Sequence, residues 1–419
     1  MKLPLVINTL CKTLIDSGAR PILVGGFVRD YFLKQESKDI DIEVYNISSL
    51  EKLKSSLSQL APVYDVGKSF GVLKISMDGF DFDISLPRTE QKTAKGHKGF
   101  DVKTDAHLDF KTAASRRDFT MNAMGYDIQT KSFLDPYNGQ DDIKYKVIRH
   151  VSDKSFVEDP LRVLRAVQFC ARFNFKLDTN TLTLCQNMVK ENMLFELPQE
   201  RIFEEYKKLL LKANKPSIGF FLLDELNALF PELKILPKET FLQTMNCLDA
   251  MAKLRTKNTK RNLVLMLSSL CYKLENRANL LSRLSNERNL IDKVISLTKN
   301  YSIPSQLYSN KLEDSAILKL STKVNIQDLI LLSHADYLIT HQDAQEYPAG
   351  EWLTIKATKL EVLNEGPNAL LQGRDLINRG LSAGKEFKKI LDDAYEAQLD
   401  TKFTSYNDAQ LWLDNYLSS

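Results

Sequence analysis

Short runs of apolar, mostly β-branched residues recur along the first third of the chain, alternating with polar positions and separated by turn residues. The runs cover residues 22–24, 40–44, 72–75 and 80–84. Their period-two alternation is typical of strands with one buried face. Helical patterns lie between them, so the sequence predicts a mixed α/β head over residues 1–145.

Beyond Pro160 the pattern changes, because apolar residues recur at helical spacing and strand signals vanish. Asp159 and Pro160 are favourable residues for a helix start, and the rest of the chain is predicted to be helical, which places it in the α+β class. A final helical unit is predicted to begin near Gly373. Segments rich in Pro, Gly, Lys or Ser mark candidate boundaries between the helical units; they lie at residues 215–217, 236–239, 301–305 and 346–350.

The composition indicates a globular, multi-module chain. Its 419 residues are too many for one compact core. Five scattered cysteines form no CxxC pair, which argues against a disulfide framework and a zinc site and fits a reducing cytoplasm. The first ten residues lack a secretory h-region and no stretch reaches membrane-spanning length, so no membrane partner is expected. The net charge of +3 is too small to indicate a nucleic-acid partner by itself.

The first candidate for chemistry is a Gly-Gly-x-x-Arg-Asp segment that follows a predicted strand and opens a helix. Gly25 and Gly26 would let backbone N–H groups approach a phosphate, and Arg29 would add a full positive charge. Taken alone, such a segment is more often a tight strand-to-helix turn with a surface arginine.

An acidic strand follows closely. Asp39 and Asp41 alternate with isoleucine, so both lie on the same strand face. Two carboxylates so placed can hold Mg²⁺ against a triphosphate, where the ion would activate a hydroxyl and neutralise a pyrophosphate leaving group. A solvated acidic strand face is the ordinary alternative, but the nearby glycine segment favours the catalytic interpretation.

Together these two segments resemble the nucleotidyltransferase head of the DNA polymerase beta superfamily, and specifically the family of class II tRNA nucleotidyltransferases and bacterial poly(A) polymerases. The resemblance implies a polymerase beta-like head followed by all-helical neck, body and tail domains. It places them at residues 1–145, 146–220, 221–370 and 371–419. It also implies a third catalytic carboxylate at Asp83, with Asp81 on the same strand face as its rival.

Two further motifs match the family in order. Residues 116–122 resemble its RRDxxxN motif, which implies that Arg117 contacts the incoming triphosphate and that Asp118 and Asn122 help to hold the sugar. Residues 158–162 resemble its EDxxR motif, which selects the base without a nucleic-acid template. The resemblance assigns base reading to Asp159 and Arg162.

The chemistry of that base reading is consistent with the residue types. A carboxylate accepts from an exocyclic amino group and a guanidinium donates to a ring nitrogen or carbonyl, so C and A are admitted while U lacks the amino group. Arg165 lies one turn beyond Arg162 and could reach the triphosphate. The family usually carries a further arginine where this chain has Gln168, so one contact is either missing or supplied by Arg172.

Other segments resemble supporting parts of the family. Residues 200–204 resemble the last neck motif of the family, whose role is to brace the base-reading helix, although a helix start with surface charges explains them equally well. Residues 88–111 resemble a mobile basic loop that reshapes the pocket between C and A addition. Where many bacterial relatives carry a His-Asp phosphohydrolase site, Tyr272 and Lys273 stand, so no metal and no phosphohydrolase activity is expected in the body. Lys385, Lys388 and Lys389 in the predicted tail suit tRNA phosphates.

The resulting prediction is an Mg²⁺-dependent, template-independent enzyme that adds C, C and A from CTP and ATP to the 3′ end of tRNA, with no stable protein partner. Three alternatives stay open. An enzyme that adds only A would share every motif, whereas a poly(A) polymerase is disfavoured because no strongly basic C-terminal extension is seen. A non-catalytic RNA-binding module is disfavoured by the intact acidic and arginine positions.

Overall fold

The computed structural model describes residues 1–47, 49–66, 71–92, 100–341 and 346–418. The chain divides into two compact units. The first comprises residues 1–213 and 218–229, and the second comprises residues 214–217 and 230–419. The first unit therefore contains both the predicted head and most of the predicted neck. The finer division into four domains stays a prediction.

A seven-stranded mixed sheet forms the centre of the first unit, with strand order β3-β4-β5-β2-β1-β8-β9. Strands β2 and β5 pair in parallel, and the other neighbours in this sheet are antiparallel. The chain's strands are β1 (Arg20–Val24), β2 (Asp39–Tyr45), β3 (Tyr64–Val66), β4 (Val72–Met77), β5 (Phe80–Ser85), β6 (Arg88–Lys92), β7 (Phe100–Thr104), β8 (Gly125–Asp127), β9 (Ser132–Leu134), β10 (Val147–Ile148) and β11 (Lys176–Leu177).

Helices surround this sheet and make up nearly all of the second unit, which confirms the predicted α+β class. The helices up to the middle of the chain are α1 (Leu5–Asp16), α2 (Gly26–Phe32), α3 (Leu50–Leu57), α4 (Phe110–Ala114), α5 (Gly139–Tyr145), α6 (Asp153–Glu158), α7 (Leu161–Phe173), α8 (Thr179–Lys190), α9 (Gln199–Lys212), α10 (Ser217–Glu225) and α11 (Pro231–Lys234). Two 3₁₀ turns cover Thr120–Asn122 and Met193–Glu196.

The remaining helices belong to the second unit. They are α12 (Lys238–Lys253), α13 (Thr259–Cys271), α14 (Arg277–Leu284), α15 (Arg288–Asn300), α16 (Ile303–Ser309), α17 (Asp314–Ser321), α18 (Ile326–Thr340), α19 (Pro348–Lys359), α20 (Gly373–Ile377), α21 (Lys385–Leu399) and α22 (Tyr406–Ser418). The last three enclose an apolar cluster that includes Leu376, Ile390 and Leu413. Helix α20 begins at Gly373, and the division of these helices into a separate final unit stays a prediction.

Buried and exposed side chains alternate at the start of β2, so the isoleucines and the aspartates lie on opposite faces of the strand. Ile40 and Ile42 point inward and are fully buried together with Leu10 and Leu14 of α1. Burying each such side chain contributes about 1.5–3 kcal/mol. The intervening Asp39 and Asp41 point outward, so burial of the isoleucines fixes the direction of both carboxylates.

Two expectations from the sequence need correction. Within residues 88–111, predicted as a loop, strand β6 pairs antiparallel with β7, and α4 begins at Phe110. Strand structure also does not end before Pro160, because β11 pairs in parallel with β10. Both strands of that pair have only two residues, too few for an alternating pattern to be recognised.

Within the described residues, no helix is long and apolar enough to cross a membrane. All five cysteines carry free thiols and are buried.

An ion pair at the end of β8 provides a test of how the sheet is stabilised. Asp127 is fully buried and accepts hydrogen bonds from Arg20 Nε at 2.9 Å and Nη2 at 2.7 Å. We expect Asp127→Asn to lower the free energy of unfolding by about 1–3 kcal/mol, because the guanidinium loses its charged acceptor. Urea denaturation measures the change.

The control is the exposed pair between Lys54 and Asp65, whose charged atoms are 2.5 Å apart. Lys54→Gln should cost less than about 1 kcal/mol, because solvent screens that pair. Equal losses in the two variants would contradict the assigned importance of Asp127.

Candidate active site

Three of the predicted catalytic carboxylates are brought together by the pairing of β2 with β5. In the parallel register Asp41 is the partner of Asp83, and Asp39 is the partner of Asp81. Asp83 is therefore the β5 carboxylate beside Asp41. Its rival Asp81 accepts a hydrogen bond from the Ser76 hydroxyl at 2.5 Å.

The local electrostatics around Asp41 favour a bound cation. Desolvation by the surrounding protein raises the pKa of its carboxyl, the charge of Arg117 opposes this, and the negative charges of Asp83, Glu43 and Asp39 raise the pKa further. Lys74 Nζ, 3.1 Å from Asp83 Oδ1, offsets part of this negative charge.

The donor set fits magnesium, which prefers carboxylate oxygens and is commonly held by one or two of them together with substrate phosphates. In the part of the chain that the structure describes, no group of three or more His, Cys, Asp or Glu side chains is arranged to hold a metal ion. Asp39 and Asp41 supply oxygen ligands of the kind that this ion prefers.

Gly25 lies beside Asp41 and Arg117. Its φ of +69° is in the region that favours glycine. A Cβ at this position would lie 3.0 Å from both Asp41 Oδ2 and Arg117 Nη1. The absence of a side chain at Gly25 therefore lets the backbone, the Asp41 carboxylate and the Arg117 guanidinium lie close together. The predicted approach of phosphate to this backbone stays a prediction. Gly26 follows as the first residue of α2.

Arg117 is oriented by a residue to which the sequence analysis gave no role. Glu43, only 1% exposed, accepts from Arg117 Nη2 at 2.9 Å, from Arg116 Nη2 at 2.8 Å and from the Tyr45 hydroxyl at 3.1 Å. Burial would raise the pKa of Glu43, but the two arginines outweigh it and lower the pKa overall. Its position two residues after Asp41 on a strand was the available signal.

Four predicted nucleotide-binding residues form one hydrogen-bonded chain. Arg29 Nη1 donates to Asn122 Oδ1 at 2.8 Å, Asn122 Nδ2 donates to Asp118 Oδ1 at 3.0 Å, and Arg165 Nε donates to Asp118 Oδ2 at 2.6 Å. Burial would raise the pKa of Asp118, but the charges of Arg165 and Arg162 lower it to about 2. Asp118 therefore stays ionised and links the predicted head to the helix that carries Arg165.

Arg29 lies deeper than the sequence implied. Its side chain is 7% exposed, forms an ion pair with Asp30 at 2.6 Å and lies over the rings of Phe169 and Phe173. In this arrangement it supports Asn122. Its predicted contact with the triphosphate stays a prediction.

The two predicted base-reading residues lie where α6 gives way to α7. Asp159 Oδ1 accepts from the Leu161 backbone N–H at 3.1 Å and Oδ2 accepts from Arg201 Nη2 at 3.0 Å. Arg162 donates to the backbone carbonyls of Ser155 at 2.7 Å and Arg116 at 2.5 Å. Arg201 therefore holds the aspartate in place, consistent with the bracing role implied for its motif.

Position 168, where this chain has glutamine and the family usually has arginine, lies in the protein interior. Gln168 is 1% exposed and lines a small cavity between α7 and α9 together with Leu164, Glu205 and Tyr206. It therefore lies within the helix interface. Arg172, in the last turn of α7, lies over the ring of Phe173 at 4.9 Å.

Part of the predicted mobile loop lies outside the described residues, including Lys95, His97 and Lys98. The role of these residues in reshaping the pocket stays a prediction.

In the second unit, Lys273 occupies the region where a phosphohydrolase site was considered. Its Nζ lies 3.6 Å from Asp336 Oδ1 and over the rings of Tyr272 and Tyr301 at 4.8 and 5.1 Å. Asp336 thus faces an ammonium group. The expected absence of phosphohydrolase activity stays a prediction.

Comparison with known proteins places this geometry in a family. Residues 22–149 match the family described as Poly A polymerase head domain, and residues 174–236 match the one described as Probable RNA and SrmB-binding site of polymerase A. A CCA-adding enzyme of Francisella tularensis subsp. novicida is 32% identical over 302 residues, which covers 67% of this chain and 78% of that protein. A CCA-adding enzyme of Blochmanniella pennsylvanica is 41% identical over 220 residues, about half of each chain (51%).

The fold agrees with these relatives. A crystal structure of the Bacillus stearothermophilus CCA-adding enzyme in complex with CTP superposes with a TM-score of 0.74 over 100% of this chain and 98% of that one. At 21% identity this similarity concerns the fold alone. The matched head and the identity to the Francisella protein over most of its length establish that the chain belongs to the CCA-adding enzyme family of nucleotidyltransferases.

Proposed function

We propose that this protein adds C, C and A to the 3′ end of tRNA, using CTP and ATP and no nucleic-acid template. The tRNA 3′-hydroxyl attacks the α-phosphorus of the nucleotide in line, and pyrophosphate leaves. Catalysis is then mainly a matter of positioning and electrostatics, without a covalent intermediate. The single observation that carries the proposal is the placement of Asp83 beside Asp41 in the strand register, with Asp41 and Arg117 both beside Gly25.

Nucleotidyltransferases generally use divalent metal ions, and we propose Mg²⁺ for this one. Asp39 and Asp41 would hold the ion, and Asp83 supplies further negative charge. When bound, Mg²⁺ lowers the pKa of the attacking hydroxyl and neutralises charge on the leaving pyrophosphate. The support is the all-oxygen donor set and the proximity of Asp83, Glu43 and Asp39, whose charges add to desolvation in raising the pKa of Asp41.

The triphosphate would lie between the Gly25–Gly26 turn and the guanidinium groups. Arg117 faces this turn and would contact the phosphates directly. Arg165, whose side chain is 28% exposed, would reach them from α7. Arg29 would support the same region from beneath, and Asp118 with Asn122 would hold the sugar.

Base selection is assigned to Asp159 and Arg162. The Asp159 carboxylate has acceptor capacity beyond its two present hydrogen bonds and would accept from the amino group of C or A. Arg162 would donate to the same edge. Because the two present partners of Asp159 and the two backbone carbonyls at Arg162 hold the side chains in place, the protein itself would provide the template.

CCA addition is preferred to the other specificities. The relatives that share the head are named CCA-adding enzymes, which favours this activity over addition of A alone and over poly(A) synthesis. Intact Asp39, Asp41, Asp159 and Arg162 argue against a non-catalytic module. We also propose the four-part division into head, neck, body and tail, with tRNA contacts in the tail, and a cytoplasmic location suited to five free thiols.

The proposal is tested by incubating the purified protein with Mg²⁺, CTP and ATP, singly and together, on tRNAs that end before CCA, after C and after CC. Sequencing the products should show complete CCA on the tRNA that ends before CCA. Addition of A only to the CC-ended tRNA would make it an A-adding enzyme. No addition to any substrate would refute the proposal.

The metal assignment predicts a selective loss of turnover. Asp41→Ala should abolish nucleotide addition while tRNA affinity stays nearly unchanged, because the carboxylate serves the reacting groups and not the RNA surface. Single-turnover kinetics and a tRNA filter-binding assay measure the two quantities.

Asp81→Ala is the matched control on β5, and it should retain activity, whereas Asp83→Ala should not. The opposite order would exchange the roles of these two aspartates. Loss of tRNA binding in Asp41→Ala would defeat the metal assignment.

Base reading predicts a change in selectivity. Asp159→Ala should lower kcat/KM for CTP and ATP by about 10–100-fold, the equivalent of one or two lost hydrogen bonds. The kcat/KM for UTP should change little, because uracil has no amino group that could donate to the carboxylate. Competition between CTP and UTP at the first added position measures the ratio. An equal fall for both nucleotides would mean that Asp159 acts only as a structural residue of α7.

A further inference from the structure

The buried acid beside Arg117 has no role in the proposed reaction. Glu43 has 1% of its surface exposed and is in contact with two consecutive arginines. Placing an ionised carboxylate in the protein interior is costly unless charged donors compensate it. An apolar side chain would fill such a position more cheaply, as Ile42 and Val44 do beside it.

The geometry of Arg117 indicates what the carboxylate achieves. Its Nη2 donates to Glu43 at 2.9 Å, while its Nη1 lies beside Gly25, 3.0 Å from the point that a Cβ would occupy there. A guanidinium is planar with a fixed fork of donors. When one nitrogen is held from below, the direction of the other is therefore also set.

Two carboxylates, Asp41 and Glu43, both attract the guanidinium of Arg117. Asp41 Oδ2 borders the same side of Gly25 as Arg117 Nη1, so the guanidinium is attracted towards the proposed metal ligand. Glu43 provides a second, fully buried anion that holds Arg117 in position beside Asp41. Arg116, which would otherwise repel its neighbour, shares the same Glu43 oxygen at 2.8 Å.

Arg116 extends the arrangement towards the base. Its backbone carbonyl accepts from Arg162 Nη2 at 2.5 Å. One buried carboxylate thus anchors the segment that contacts both the phosphate side and the base-reading side of the proposed site.

We infer that Glu43 is a positioning residue for the nucleotide triphosphate, acting through Arg117. This inference rests on the proposed function, because it assumes that the phosphates lie beside Arg117. The residue touches no substrate itself. Its removal should weaken nucleotide binding without affecting the tRNA surface.

The expected result for Glu43→Gln is a rise of about 10–100-fold in the KM for CTP and ATP, as is usual when a partner that orients a ligand-binding group is removed. The KM for tRNA should stay within about twofold. Calorimetric titration of CTP without tRNA should show a matching rise in Kd, and that measurement does not depend on turnover.

Two controls separate positioning from mere stability. Asp127→Asn removes another buried carboxylate paired with an arginine in the same sheet, so it should lower stability but leave nucleotide Kd unchanged. In an Arg117→Ala background, Glu43→Gln should change nucleotide Kd by less than about twofold, because residues that act through one another are not additive.

An unchanged nucleotide Kd in Glu43→Gln, or an equal further loss in the Arg117→Ala background, would overturn the inference. If Glu43→Gln does not fold, Glu43→Asp keeps the charge and withdraws it by one methylene, and an unchanged Kd there would overturn it too. Failure of the wild-type protein to extend tRNA while CTP binding responds to Glu43→Gln would count against the proposed function alone.

Discussion

The parallel pairing of β2 with β5 is the constraint on which the rest of the site depends. It places Asp41 beside Asp83 while the intervening isoleucines are fully buried. Because the side-chain period of a strand is two, a shift of one residue would turn the carboxylates inward and the isoleucines outward. Burial of the isoleucines in the apolar core therefore also fixes the direction of the acidic side chains. The same strand register serves both the stability of the core and the arrangement of the site.

Near these two strands, several buried charges are compensated by hydrogen-bonded networks of three or more side chains and not by isolated ion pairs. Glu43 holds two arginines, and Asp118 joins Asn122 to Arg165. Such networks are favourable only when each member is satisfied. Burying these charges costs free energy. That cost is consistent with the proposed binding of a highly charged triphosphate, because side chains that are already held in position need not be ordered during the reaction.

In the second unit, the acidic side chain of Asp336 is paired with a lysine. Lys273 lies near Asp336 and over two tyrosine rings, so a fixed cation of the protein itself is placed among groups that would otherwise accept one. The helices there are built around apolar residues such as Leu267 and Leu332.

The sequence by itself determined the class of fold, the two acidic strand residues and the order of the arginine motifs. These features are local: alternation within one strand, or spacing along one helix, already fixes which residues share a face. The pairing of β6 with β7 was missed because residues 88–92 contain no apolar residue and so show no alternation. The β10–β11 pair was missed because strands of two residues leave no periodic signal.

Only the tertiary structure decided which side chains meet. It placed Asp83 and not Asp81 beside Asp41, joined Arg201 to Asp159, put Gln168 inside a helix interface and revealed Glu43 beneath Arg117. Each of these contacts links residues far apart in the chain or depends on burial. A buried carboxylate and a solvated one look alike in a sequence, because their difference lies in the charges that folding brings around them.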